Sequence, residues 1–127
     1  DQLDNIARTV MCNNIADCHI ALHWDGDGFP YDKGIFFTSV PDGIKDMYPV
    51  STVWKKSNKL GRALIKGFSA QGLTIFEGGE MEMDLMQTSY STIPSVDLEL
   101  GNELSSHSDS ALYTNAYGIL AGLNSYF

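Results

Sequence analysis

Cys18-His19-Ile20-Ala21-Leu22-His23-Trp24-Asp25-Gly26-Asp27 is the stretch that decides the fold. It reads as a short buried strand that ends abruptly in a polar, glycine-bearing turn. A histidine holds the last strand position, where an open α/β sheet tends to place its chemistry. A second strand of the same kind, Val96-Asp97-Leu98-Glu99-Leu100-Gly101, offers a carboxylate at the matching place. The two strand ends read as the halves of one site.

Helical patterns surround these strands. Leu3, Ile6, Ala7, Val10 and Met11 recur at i, i+3, i+4, i+7, i+8, the stripe of an amphipathic helix packed on a sheet. Gly34 to Val40 is a short apolar strand, and Pro41-Asp42-Gly43 with Pro49 punctuates a surface connection. From Ser51 to about Ser69 a long helix lines Val53, Trp54, Ser57, Leu60, Gly61, Leu64 and Phe68 along one face. Lys55, Lys56, Lys59, Arg62 and Lys66 occupy its other face, which reads as solvated. Gly72 to Pro94 is irregular and reads as an edge strand or a lid. Ser106-His107-Ser108-Asp109 carries a capping signal for a last helix that buries Leu112, Ala116, Ile119, Leu120 and Leu123. Strands that alternate with helices predict an α/β domain with a largely parallel sheet. Residues 1–127 form a single domain, with no internal repeat or low-complexity linker.

Composition bounds the rest. A chain of 127 residues, 43% hydrophobic and 19% charged, is globular and large enough for one modest core. Net charge is −8, with 8 Lys+Arg against 16 Asp+Glu. That argues against a nucleic-acid partner and fits poorly with unaided adhesion to an anionic polymer. No apolar run is long enough to span a membrane, and no signal peptide is visible. The chain opens Asp-Gln-Leu without an initiator Met, as expected of a processed, trimmed or cleaved piece. Cys12 and Cys18 match no CxxC redox or zinc spacing and read as two buried thiols.

The candidate chemistry narrows to few groups. His19, Ala21 and His23 share one strand face, but His19 and His23 lie about 13 Å apart along the strand and cannot share a metal. His23, at the strand end, is the better placed, although a structural histidine is the plainer reading from position alone. Glu99 shares a face with Asp97, and a carboxylate in so apolar a strand is costly unless paired, metal-bound or catalytic. Asp25-Gly26-Asp27-Gly28 with Asp32 resembles a calcium loop only briefly: Phe29, Pro30 and Phe36 stand where a carboxylate, a glycine and the closing glutamate belong. Cys18 and His19 point to opposite strand faces, which disfavours a Cys–His nucleophile pair.

The run Arg8-Thr9-Val10-Met11-Cys12-Asn13-Asn14-Ile15-Ala16-Asp17-Cys18-His19-Ile20-Ala21-Leu22-His23-Trp24-Asp25 resembles a block of the zinc-dependent N-acetylmuramoyl-L-alanine amidases, bacterial cell-wall hydrolases that include autolysins, sporulation amidases and phage endolysins. Asn13, Ala16-Asp17 and His23 match that block. Cys12 stands for its usual Ala, and Trp24-Asp25 for Ala-Asn. Lys33 to Phe37, Ser57-Asn58-Lys59-Leu60-Gly61 and Ile93 to Asn102 are similar to later family segments in the same order, and the closing helix through Phe127 looks like the family's C-terminus.

The resemblance implies a twisted, mixed, mostly parallel sheet flanked by helices on both faces, a phosphorylase/hydrolase-like fold, here without its first strand and helix. It implies one Zn2+ held by two histidines and a glutamate. His23 is then a zinc ligand and Glu99 the catalytic glutamate, while Asp25 and the segment from Glu77 to Asp84 line the substrate groove. The other two ligands belong to an N-terminal segment that this chain does not include, and that segment is a candidate partner as a separate fragment. His19 and His107 match no ligand position. The implied reaction is hydrolysis of the amide between N-acetylmuramic acid and L-alanine of peptidoglycan, in the secreted or cell-wall compartment, or after release at lysis for an endolysin. A non-catalytic muropeptide-binding homologue, an inactive fragment and a zinc exopeptidase remain alternatives.

Overall fold

In this computed structural model the described residues are 4–24 and 30–127. Asp4 caps helix α1 (Asn5–Ile15), its carboxylate accepting the Ala7 amide at 2.8 Å. Next come β1 (His19–His23), β2 (Ile35–Ser39), a 3-10 turn at Asp42–Ile44 and the long helix α2 (Val50–Ala70). β3 (Ile75–Glu82), the single-turn α3 (Met86–Ser89), β4 (Ser95–Glu99) and α4 (Asp109–Tyr126) complete the chain. The sheet order is β1-β4-β2-β3. β1 runs parallel to β4, and β2 parallel to β3, while β2 and β4 are antiparallel. The mixed, mostly parallel sheet expected from the sequence is therefore the one observed.

Alternation divides β4 between two faces. Val96 and Leu98 join Ile35 and Phe37 of β2 against Leu60, Leu64 and Phe68 of α2, and this cluster is the core. The three α2 residues recur every four positions and so form one stripe toward the sheet. Asp97 and Glu99 take the opposite face. Ser57 of α2 fixes the entry to β4 by accepting the Ser95 amide at 3.1 Å.

The last helix departs from its expected face. Ile119 and Leu123 pack on the core, but Leu112, Ala116 and Leu120 are exposed. Its innermost residues are Asn115, Gly118 and Gly122. Glycines set this line because they let two backbones approach. A Cβ on Gly67 of α2 would lie 2.1 Å from the Gly118 carbonyl oxygen, and one on Gly122 would lie 2.6 Å from the Leu64 Cα. With that seam fixed, the larger side chains rotate outward. The cap also differs: Ser108, not Ser106, accepts the Ala111 amide, at 3.3 Å.

The first helix departs further. Leu3 lies outside the described residues. Ile6 is 57% exposed and Val10 54%, and Ala7 and Met11 are exposed as well. α1 packs chiefly on α3, burying Thr9, and Asn13 ties it to the following segment by donating to the Tyr90 carbonyl and accepting from the Thr92 amide. The apolar stripe is thus real, but it does not lie on the sheet. The neighbouring β1 is an edge strand, and its Leu22 is 46% exposed. Among the described residues, β1 lies at a sheet edge and the apolar face of α1 is exposed.

Candidate functional site at the ends of β1 and β4

The parallel register sets His23 beside Glu99 and Ala21 beside Asp97. The Leu100 amide donates to the His23 carbonyl at 2.8 Å, so the two strand ends are tied together. His23, Asp97 and Glu99 then share the face opposite the core. The imidazole leans back along the strand, with Nε2 3.2 Å from Asp97 Oδ2. His23 and Glu99 are half-buried and Asp97 is buried. The sequence-derived pairing of the two strand ends is therefore present in space. Asp97 is the residue that sequence reasoning passed over. Its face was legible from alternation, but its contact with His23 depends on register.

The loops beyond the strands are locked to one another. Gly101 has a φ of +143°, and Ser105 Oγ occupies the space where a Cβ would be. That hydroxyl accepts the Asn102 amide at 2.9 Å and donates to Asp32 Oδ2 at 2.7 Å. Asp32 Oδ1 accepts the Gly34 amide at 3.0 Å, and Asn102 Nδ2 donates to the Tyr31 carbonyl at 2.9 Å. Asp32 thus frames the loops. Asp25, expected in the groove, lies outside the described residues. Glu77 to Glu82 belongs to β3, at the sheet edge farthest from β1, and Glu80 there accepts hydrogen bonds from Asn58 and Arg62 of α2. Glu80 therefore faces α2, while Asp84 accepts the Ser89 hydroxyl of α3. His107 packs edge-on against Trp24, with ring centroids 5.5 Å apart.

Two other titratable groups bear on the chemistry. Burial, with lesser contributions from Asp17 and Cys12, pushes the Cys18 thiol up, which makes it a poor thiolate. Burial, and secondly the Arg8 guanidinium, hold the His19 imidazole below its ordinary value of 6.5. Its Nδ1 is enclosed without a hydrogen-bond partner among the described residues. A histidine depressed in the folded state binds fewer protons there than in the unfolded chain. Its stabilising effect is complete above the unfolded value and declines as pH falls through it toward the folded value. Melting temperature should therefore fall on acidification from about pH 7.5 to 5.5, a range that brackets the unfolded value. His19→Gln should flatten that slope, and an equally steep slope in the variant would exclude His19 as its source.

Among the described residues no three His, Cys, Asp or Glu side chains gather closely enough to hold a metal ion. No helix among them is long and apolar enough to cross a membrane.

No protein-family model and no curated protein matches the chain. Solved structures do. The apo N-acetylmuramyl-L-alanine amidase Ami1 of Mycobacterium abscessus superposes with a TM-score of 0.77 at 20% identity, over 96% of this chain and 60% of its own. The catalytic domain of CwlV, an N-acetylmuramoyl-L-alanine amidase of Paenibacillus polymyxa, gives 0.76 at 19% identity, over 99% and 66%. AmiC2, an amidase of the same name from Nostoc punctiforme, gives 0.73 at 12% identity, over 99% and 67%. The chain spans about three-fifths of the length of the first of these. Over nearly all of its residues, it has the fold of the N-acetylmuramoyl-L-alanine amidases.

Proposed function

We propose that this chain forms the larger part of a zinc-dependent N-acetylmuramoyl-L-alanine amidase domain that hydrolyses the amide joining N-acetylmuramic acid to the stem-peptide L-alanine. The observation that carries this reading is the placement of His23 and Glu99 side by side at adjacent parallel strand ends, within a fold shared with solved amidases. In this reading Glu99 takes a proton from the attacking water and returns it to the departing amine. His23 is one metal ligand. Asp97 orients its imidazole, the usual role of a carboxylate hydrogen-bonded to a ligating histidine.

The described residues supply no complete ligand set. A catalytic zinc takes three protein ligands and keeps one position open. The remaining ligands are proposed to come from polypeptide laid along the edge of β1 and over the apolar face of α1. Zinc, when bound, would polarise the scissile carbonyl and activate water. Peptidoglycan is the proposed substrate and the cell wall the proposed place of action.

Product analysis tests the reaction. Purified sacculi digested by the intact protein should release stem peptides with a free L-alanine amino terminus and leave intact muramyl residues, as read by mass spectrometry. Peptides shortened from a free terminus would instead indicate a zinc exopeptidase. Retention on sacculi without release would indicate a muropeptide-binding homologue.

A further inference from the structure

The acidic balance of the chain conceals a segregated charge. α2 carries Lys55, Lys56, Lys59, Arg62 and Lys66 and no Asp or Glu. The rest of the chain holds the other three cations and all sixteen acids. Lys55, Lys59, Arg62 and Lys66 follow one another at spacings of four, three and four, so they stand on one helix face. All are exposed. At about 1.5 Å rise per residue they form a row roughly 16 Å long. Like charges at these spacings repel and weaken the helix that bears them. Arg62 is relieved by Glu80, 3.1 Å away. Among the described residues no ion pair engages Lys55, Lys59 or Lys66.

The row borders a groove of about 300 Å³ closed on its other side by Ser125 and Tyr126 of α4. Lys59 Nζ lies 5.4 Å from the Tyr126 ring, which holds that ammonium over the groove. The surface lies on the outer side of α2, behind the sheet face that bears His23 and Glu99. A ligand held there leaves the strand-end site open.

We propose that this groove binds a linear, base-free polyanion, a polymer of phosphate groups that lies along α2 with one anionic group against each cation of the row. A narrow row beside a groove suits a strand more than a flat surface. The apolar face of α2 is buried in the core, so the helix has none to insert into a lipid bilayer. A single tyrosine already engaged by Lys59 offers no stacking platform for successive bases. The proposal does not depend on the amidase reading.

Inorganic polyphosphate, titrated into the intact protein and followed by calorimetry, is the probe. Four neutralised phosphates give a slope of log K against log salt near −3, so affinity should fall roughly 50-fold between 50 and 200 mM salt. Lys55→Gln/Lys66→Gln should weaken binding about tenfold at 50 mM salt and reduce that slope by about half. Arg8→Gln/Lys33→Gln, which changes net charge equally away from the row, should leave binding unchanged. Circular dichroism melts confirm that both pairs fold. Absence of binding at 50 mM salt, or equal losses in the two pairs, would overturn the proposal. So would binding confined to anionic phospholipid vesicles, which would point to a membrane, or tighter binding to oligodeoxythymidylate of matched charge, which would point to a nucleic acid.

Discussion

Under the proposed function, Glu99→Gln in the intact protein should lower turnover on peptidoglycan by about 10³-fold, the scale of a lost general base, or about 4 kcal/mol of transition-state stabilisation. The amide keeps the size of the carboxylate and its hydrogen-bonding reach, but it cannot accept the proton of the attacking water. Glu99 closes a strand whose main chain is already bound on both sides, by β1 and by β2. The substitution should therefore leave the strand, its register with His23 and the zinc content unchanged. Single-turnover hydrolysis together with metal analysis separates the two effects. A variant that hydrolyses at close to the parental rate would remove Glu99 from the mechanism. Loss of both activity and zinc would mean that Glu99 serves as a ligand or a structural group.

The second large effect concerns stability. Gly67→Ala should lower the melting temperature by about 4–8 °C. Two terms compete. Alanine favours a helix over glycine by about 1 kcal/mol. Against this, the new Cβ would sit 2.1 Å from the Gly118 carbonyl oxygen, and its next neighbour, the Gly122 amide nitrogen, is at 2.8 Å. Both are backbone atoms, so relief requires α4 to move off α2. Such overpacking costs about 1–3 kcal/mol and occasionally more, and each kcal/mol corresponds to roughly 4 °C in a domain near this size. The steric term wins. Gly43→Ala, with nothing within 4 Å of its Cβ, is the control and should melt within a degree or two of the parent. A Gly67→Ala protein that melts higher than the parent would show that propensity outweighs the seam.

The legible parts of the molecule are those that local pattern determines. Period-two alternation identified β1 and β4 and put His23 and Glu99 at their ends. Helical spacing located α2 almost to its boundaries, and Leu60, Leu64 and Phe68 were correctly read as its buried stripe. Where large apolar residues do not decide packing, the reading failed. In α4 the buried line runs through Asn115, Gly118 and Gly122, and glycines register only as gaps in a search for hydrophobic periodicity. In α1 the stripe was found but its counterpart was misassigned, because the same spacing describes a helix on a sheet and a helix awaiting another surface. Asp97 shows a third limit. Its contact with His23 follows from pairing Ala21 with Asp97, and a slip by one residue would have turned the carboxylate to the other face.

The central proposal is that His23 and Glu99 are one half of a zinc amidase site whose other half lies along the β1 edge. Native mass spectrometry of the protein isolated from its own source, with metal analysis of the same sample, tests this most directly. The expected result is one zinc per copy of this chain, held only when polypeptide beyond these residues is present, and lost in His23→Ala. Stoichiometric zinc that persists in His23→Ala would contradict the account, as would an intact, active protein that contains none.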